Sequence, residues 1–155
     1  MFINNQNNSV AYILNKDNNT ASIGENFFLY GDLVIPRSLQ YPSNEYVITS
    51  ILDNALQSSK IKSIKFSPNS DLRIIGANAF SYSSIEIITI PSSLTTIGEG
   101  AFKLCKQLYK VEIPDDSKLE IIENEAFAYT SIESFKIPPH LKKINEYVFM
   151  CCEQL

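Results

Sequence analysis

A few side chains in this sequence have types and spacing that could do chemistry. Gly98-Glu99-Gly100, with Cys105 shortly after, has the outline of a glycine loop beside a reactive thiol. A phosphate loop, however, needs several glycines running into a helix with a lysine or an acidic partner at set spacing, and none follows. His140 is the only histidine; it stands after Pro138-Pro139 and before Lys142-Lys143, with no second histidine and no cysteine at ligand spacing. It therefore offers neither a zinc site nor a catalytic triad and reads as a solvent-exposed loop residue. Asp115, Asp116, Glu123 and Glu125 fall in loop and turn positions, where they are solvated acids and not a paired acid and base. No catalytic residue, metal ligand or cofactor site is assigned, and the chain is expected not to be an enzyme.

The elements that position these residues are set by composition and, above all, by repetition. The chain has 155 residues, 45% hydrophobic and 19% charged, which suits one folded domain. A net charge of -4 removes the broad attraction that nucleic acid or an anionic membrane surface would need. No apolar run approaches a membrane span, and MFINNQNNSVAYIL lacks the basic and apolar regions of a secretory leader. Two glycosylation sequons, at residues 7–9 and 18–20, arise in an asparagine-rich segment where chance alone supplies them.

From Ile61 onward the sequence repeats one phrase, I/L-x-x-I-x-I-P, then L-x-x-I, then x-x-x-A-F, in copies beginning at Ile61, Ile85, Leu108 and Ile132. Starts are separated by 24, 23, 24 and 23 residues, with Leu155 opening a further copy, so the deeper period is 47. A degenerate earlier copy begins at Tyr30 and carries a longer loop from Arg37 to Val47. Before it, Ser9 to Leu14 and Thr20 to Ile23 bracket Lys16-Asp17-Asn18-Asn19 as the strands of a hairpin would. The expected layout is a cap over residues 1–29 and repeats over 30–155, divided 30–60, 61–84, 85–107, 108–131 and 132–154.

Copies of this length stack, because one alone cannot bury its apolar face. In each copy the last two apolar residues of I-x-x-I-x-I are two apart, so they share one face of a short strand. Stacking then predicts a parallel sheet and buried columns: Ile64, Ile88, Val111 and Phe135; Phe66, Ile90, Ile113 and Ile137; Ile75, Ile97, Ile122 and Ile144; Phe80, Phe102, Phe127 and Phe149. Pro91, Pro114 and Pro138 end the strands, and the Ala-Phe segment is expected to form a short helical turn.

The pattern resembles the BspA-like, or Treponema pallidum type, leucine-rich repeats of surface proteins from anaerobic bacteria and parasitic protists. That family shares the strand arm ending in Ile-Pro, the L-x-x-I-G arm and A-F-x-x-C. This chain keeps the glycine at Gly76 and Gly98 and has Glu123 and Asn145 in their place later; it keeps the cysteine at Cys105 and Cys152, with Ser59, Ser83 and Thr130 in the same column. The resemblance implies an α/β repeat solenoid, a right-handed superhelix with a concave parallel sheet, short helical turns and a hairpin cap.

Within that frame Gly98-Glu99-Gly100 is a turn, aligned with Gly76-Ala77-Asn78, Glu123-Asn124-Glu125 and Asn145-Glu146-Tyr147. Cys105 and Cys152 lie two layers apart, about 9.6 Å at the usual strand spacing, which is beyond disulfide reach. All three cysteines are expected to be thiols, Cys105 and Cys152 as small buried groups. The positions left for function are those pointing outward from the strands: Asp32, Ser63, Ile87, Lys110 and Ser134 in one column, and Val34, Lys65, Thr89, Glu112 and Lys136 in the next. They constitute the candidate protein-binding face.

The resemblance implies adhesion or recognition of host or matrix proteins at a cell surface, with the protein ligand unidentified. An intracellular interaction scaffold, cytoplasmic because no leader is visible, is the alternative. The last layer, with Ile137, Leu141, Ile144 and Phe149, has no covering repeat, so either a longer natural chain or an end-to-end homodimer is expected.

Overall fold

The computed structural model describes the backbone of residues 2–5, 8–26 and 28–155 and, apart from residue 27, the side chains from Val10 onward. Of the sequon at residues 7–9, residue 7 falls outside this set. Among the described residues there are thirteen strands: β1 (Phe2–Asn5), β2 (Asn8–Asn15), β3 (Thr20–Ile23), β4 (Tyr30–Ile35), β5 (Ser38–Tyr41), β6 (Asn44–Ile51), β7 (Lys60–Phe66), β8 (Ile74–Ile75), β9 (Ile87–Thr89), β10 (Thr96–Ile97), β11 (Lys110–Glu112), β12 (Ile121–Ile122) and β13 (Lys143–Ile144).

These strands build a solenoid with two long sheets. The strand arm of each copy supplies one, in the order β4-β7-β9-β11, all parallel. The L-x-x-I arm supplies the other, a parallel run β3-β6-β8-β10-β12-β13. Most strands of this second sheet are only two residues long, too short to show an alternating pattern in the sequence. Antiparallel strands flank it: β1 pairs with β2, β2 with β3, and β5 with β6. The β5–β6 hairpin occupies the segment expected as a long loop, with its turn at Pro42-Ser43.

The hairpin β2–β3 covers the first layer with Val10 and Tyr12, both buried. Buried Asn26 fastens it: its Oδ1 accepts from the Ala11 amide at 2.6 Å, its Nδ2 donates to the Gly24 carbonyl at 2.6 Å, and its own amide donates to Ala55 at 2.8 Å. Each buried polar atom of that side chain thus has a partner, as burial requires.

The Ala-Phe segments are not helical, which corrects the expected short helical turns. Among the described residues there is no helix. The reason lies in where the amides go. In the second complete turn, Ala79, Ser81 and Ser83 donate locally to Gly76, Asn78 and Phe80, closing successive β-turns. Asn78, Phe80 and Tyr82, which alternate with them, donate instead to Glu99, Ala101 and Lys103 of the next copy at 2.7 to 3.0 Å. A helix would need every amide for itself. The same division recurs at Gly100, Phe102 and Leu104, and again at Glu125, Phe127 and Tyr129, so the turns form a third ladder along the stack.

This ladder requires left-handed backbone at two places per copy. Asn54, Asn78, Gly100, Glu125 and Tyr147 have φ between 53° and 58°, and Ser58, Tyr82, Leu104, Tyr129 and Cys151 between 55° and 60°. A non-glycine residue there costs about 1–2 kcal/mol, tolerated because bonds on both sides over-determine the conformation. Gly98 serves a different need. A Cβ on it would lie 2.8 Å from the Gly76 carbonyl carbon and 2.9 Å from the Ala77 nitrogen, so successive turns approach too closely for a side chain.

The core follows the predicted columns except at Phe66, which is only half-buried, and in the final copy. Ile64, Ile88 and Val111, Ile90 and Ile113, and Ile75, Ile97 and Ile122 are buried. Phe80, Phe102 and Phe127 are fully buried and stack nearly parallel, with centroids 5.0 and 5.2 Å apart and planes 4° and 3° from parallel. Phe149 continues the stack at 5.8 Å, and Phe135 leans across Phe127 and Phe149.

In the final copy the columns loosen. Its first arm forms no strand, Ile137 is 61% exposed and Ile144 43% exposed.

Candidate functional site

The outward face of the β4-β7-β9-β11 sheet carries eight of the ten candidate residues on paired strands. Asp32 lies opposite Ser63, Ser63 opposite Ile87, and Ile87 opposite Lys110. Val34 lies opposite Lys65, and Thr89 opposite Glu112. Ser134 and Lys136 belong to the final arm, which does not join the sheet; both are exposed, and the flat array ends at β11.

Alternation along each strand places these residues outside. In β4, Leu33 and Ile35 are buried while Asp32 and Val34 are exposed, and in β11 Val111 is buried between exposed Lys110 and Glu112. Ile87 is half-buried.

Polar groups on the face are bonded across strands. Ser63 Oγ donates to Asp32 Oδ1 at 2.6 Å, and Thr89 Oγ1 donates to Glu112 Oε2 at 2.7 Å. Within β11, Lys110 Nζ pairs with Glu112 Oε1 at 2.7 Å, and beyond the sheet Lys136 pairs with Asp115. The Lys110 hydrogen bond, then that from Thr89, holds the Glu112 carboxyl below its ordinary range. Lys136 does the same to Asp115. These groups are exposed to water, so the pairs order the surface more than they stabilise the fold. Lys65 makes no ion pair among the described residues.

Past the C-terminal ends of β7 and β9, a cleft of about 420 Å³ opens between the Phe66–Ser70 loop of one copy and the Ile90–Ser93 loop of the next, with Lys65, Thr89 and Pro114 also on its walls. The sequence reading missed this cleft, although the run Phe66-Ser67-Pro68 beside Ile90-Pro91-Ser92 marks where the chain leaves the sheet.

The other chemical candidates are structural. Gly100, with φ 58°, is the left-handed corner of a turn. Cys105, Cys151 and Cys152 are free thiols. Cys105 is fully buried, and burial pushes its thiol up to about 11. It is more than a small apolar filler: its Sγ donates to the Phe80 carbonyl at 3.0 Å and lies 3.3 Å from Ser83 Oγ. Cys152, half-buried and not buried as expected, makes the same contacts with the Phe127 carbonyl and Thr130 Oγ1, at 3.1 and 3.3 Å. His140 is exposed. Among the described residues no three His, Cys, Asp or Glu groups gather as metal ligands, and no helix is long and apolar enough to cross a membrane.

Two parallel sheets and a turn ladder, stacked at a period near two dozen residues, define a leucine-rich-repeat solenoid. Residues 21–155 match the family described as BspA type leucine-rich repeat region, in six copies, and the chain belongs to that family. Comparison with curated protein sequences gave no match. Among solved structures, the Treponema pallidum leucine-rich repeat protein is similar with a TM-score of 0.82 and 21% identity, over 94% of this chain and 66% of that one. The pneumococcal vaccine antigen PcpA is similar with a TM-score of 0.74 and 22% identity, over 97% of this chain and 47% of that one. A leucine-rich cell surface protein from Faecalibacterium prausnitzii aligns with a TM-score of 0.51 and 21% identity, over 100% of this chain and 53% of that one. The chain thus spans about half the length of PcpA and of the Faecalibacterium protein. At these identities the likeness establishes the fold.

Proposed function

We propose that this domain is a non-enzymatic protein-binding module whose contact surface is the outward face of the β4-β7-β9-β11 sheet, serving recognition or adhesion at a cell surface. One observation supports it most directly. The face holds a two-column array in which half-buried Ile87 on inner strand β9 and exposed Val34 on edge strand β4 sit among cross-strand polar pairs, the mixture of apolar and polar groups that protein interfaces use. Family membership suits the reading, since repeat solenoids present extended surfaces to macromolecules. The surface setting draws on the Faecalibacterium neighbour, described as a cell surface protein, and on PcpA, described as a vaccine antigen.

The test compares wild type, a Val34→Ser/Ile87→Ser variant and a Tyr82→Ser control in the turn ladder as baits against extracellular matrix and host-cell proteins. Partners held by wild type and the control but released by the face variant are expected. Partners retained equally by all three refute the assignment of the face. Labelling of intact cells with a non-permeant reagent tests the surface location, and protection of the protein from that label counts against it.

A further inference from the structure

The cleft at the C-terminal rim of the sheet has an unbalanced inventory of hydrogen-bonding groups, and the imbalance specifies what it accepts. Several polar side chains around it are already committed. Thr89 donates to Glu112, Ser92 Oγ donates to Asp116 Oδ1 at 2.7 Å, and Ser93 Oγ donates to the Leu72 carbonyl at 2.7 Å. The nearby carboxylates are therefore occupied, Glu112 by Lys110 and Thr89, Asp116 by Ser92.

What remains is a surplus of donors. The Lys65 ammonium makes no ion pair and the Ser67 hydroxyl no hydrogen bond among the described residues. Ser70 Oγ accepts from the Leu72 amide at 3.2 Å, which leaves its own proton available. Around these donors stand the apolar surfaces of Phe66, Pro68, Pro91 and Pro114. Prolines bring no amide to the cleft, so the backbone there adds no donor of its own at those points.

From this placement we infer that the cleft is an anchor pocket for a carboxylate on an acidic residue, flanked by apolar residues, in an extended segment of the protein partner. The inference rests on the sheet face being the binding surface, because Lys65 belongs to both: it stands in the outward column opposite Val34 and on the wall of the cleft. A carboxylate there answers the unpaired Lys65 ammonium, with the Ser67 and Ser70 hydroxyl protons on the same walls, while neighbouring apolar side chains lie on the proline rims. Charge-assisted hydrogen bonds of this kind are the stronger class.

Panning a random peptide library on the intact chain tests it, with Lys65→Gln, Lys65→Glu and Ile87→Ser as comparison baits whose folding is verified by circular dichroism and urea unfolding. Selected peptides are expected to be enriched in Asp or Glu next to apolar residues, and to lose about tenfold in affinity on Lys65→Glu, with a smaller loss on Lys65→Gln. Peptides without acidic enrichment, or acidic peptides indifferent to both Lys65 variants, overturn the inference. Where such peptides still depend on Ile87, the sheet-face reading survives and only the anchor fails. Failure to select any binder, or binding indifferent to Lys65 and Ile87 alike, removes both.

Discussion

Replacing Phe102 by alanine removes the middle ring of the aromatic stack. Phe102 is fully buried, with Phe80 on one face at 5.0 Å and Phe127 on the other at 5.2 Å. Those spacings track the rise of about 4.8 Å between neighbouring strands, and near-parallel planes at such centroid distances mean offset stacking, the favoured arrangement. Phenylalanine to alanine in a core costs about 3–5 kcal/mol. Two intact ring contacts, each adding about 0.5–1.5 kcal/mol, place Phe102 at the upper end, near 5 kcal/mol. Phe149 stacks on Phe127 at 5.8 Å and tilts against Phe135 at 4.9 Å but is only partly buried, so with less area to lose its alanine variant should cost about 2–3 kcal/mol. In a stack whose layers touch only their neighbours, the central ring couples two interfaces, so the inequality follows from position. Urea unfolding monitored by circular dichroism and tyrosine fluorescence measures both variants, with Phe102→Leu as a control expected to lose about 1–1.5 kcal/mol. Equal costs for Phe102→Ala and Phe149→Ala, or a Phe102→Ala loss below about 1 kcal/mol, refute the stacked-column account.

Gly98→Ala should destabilise by about 2 kcal/mol, because its Cβ meets backbone atoms of the preceding turn that cannot move aside; a neutral result in urea unfolding argues against the close approach. Gly100→Asn should cost about 1 kcal/mol, because asparagine tolerates the left-handed backbone that Asn78 holds at φ 53° but its Cβ would meet Asn78 Oδ1 at 2.6 Å, whereas Gly100→Val should cost about 2 kcal/mol or more, by the same measurement. Iodoacetamide at pH 8 should modify exposed Cys151 in the native protein and spare Cys105 until unfolding, when three thiols count without reductant; fewer than three contradicts the free-thiol assignment. Burial lifts the Cys105 thiol from 9.0 to about 11 and the Tyr12 phenol from 10.0 to about 12, so the unfolded chain gives up these protons first. Stability should hold below pH 9 and fall as pH rises through the interval to 12, by about 2 kcal/mol or more at pH 11; a flat urea midpoint between pH 8 and 11 would contradict this.

The copies were legible because they repeat: Ile88, Ile97 and Phe102 each recur at fixed offsets, and a buried column needs little more than that. The turn ladder was not legible. Its signal is residues that tolerate left-handed backbone, and Asn54, Asn78 and Gly100 carry it plainly, but Glu125, Tyr129 and Leu104 do not. There the conformation is imposed by amides reaching the next copy, a tertiary demand that overrides local preference. The same holds for the L-x-x-I sheet, whose two-residue strands exist only because neighbours stand beside them. Ser134 and Lys136 were placed on the face by alignment alone, and alignment could not foresee that the final arm leaves Ile137 exposed instead of pairing with β11. Cys105 was read as filler, because its bond to the Phe80 carbonyl depends on how two copies sit together.

The three ladders also explain why the proposed recognition falls on this face. In the buried columns, side-chain size is fixed by packing, and in the turns, backbone geometry is fixed by bonds between copies; a disruptive change at either kind of position costs about 1–5 kcal/mol. Outward residues on the strand sheet carry neither constraint. Substitutions there are usually worth within about 0.5 kcal/mol of stability. Yet their spacing is held by the same backbone bonds that make the core rigid, so Ser63, Lys65, Ile87 and Thr89 can differ in chemistry while remaining fixed in place. A surface both rigid and free to vary loses little entropy on binding and can acquire specificity without endangering the fold. That combination sets the face and its adjoining cleft apart from the chemistry suggested by Gly98-Glu99-Gly100 and Cys105, whose positions are already consumed in holding one copy against the next.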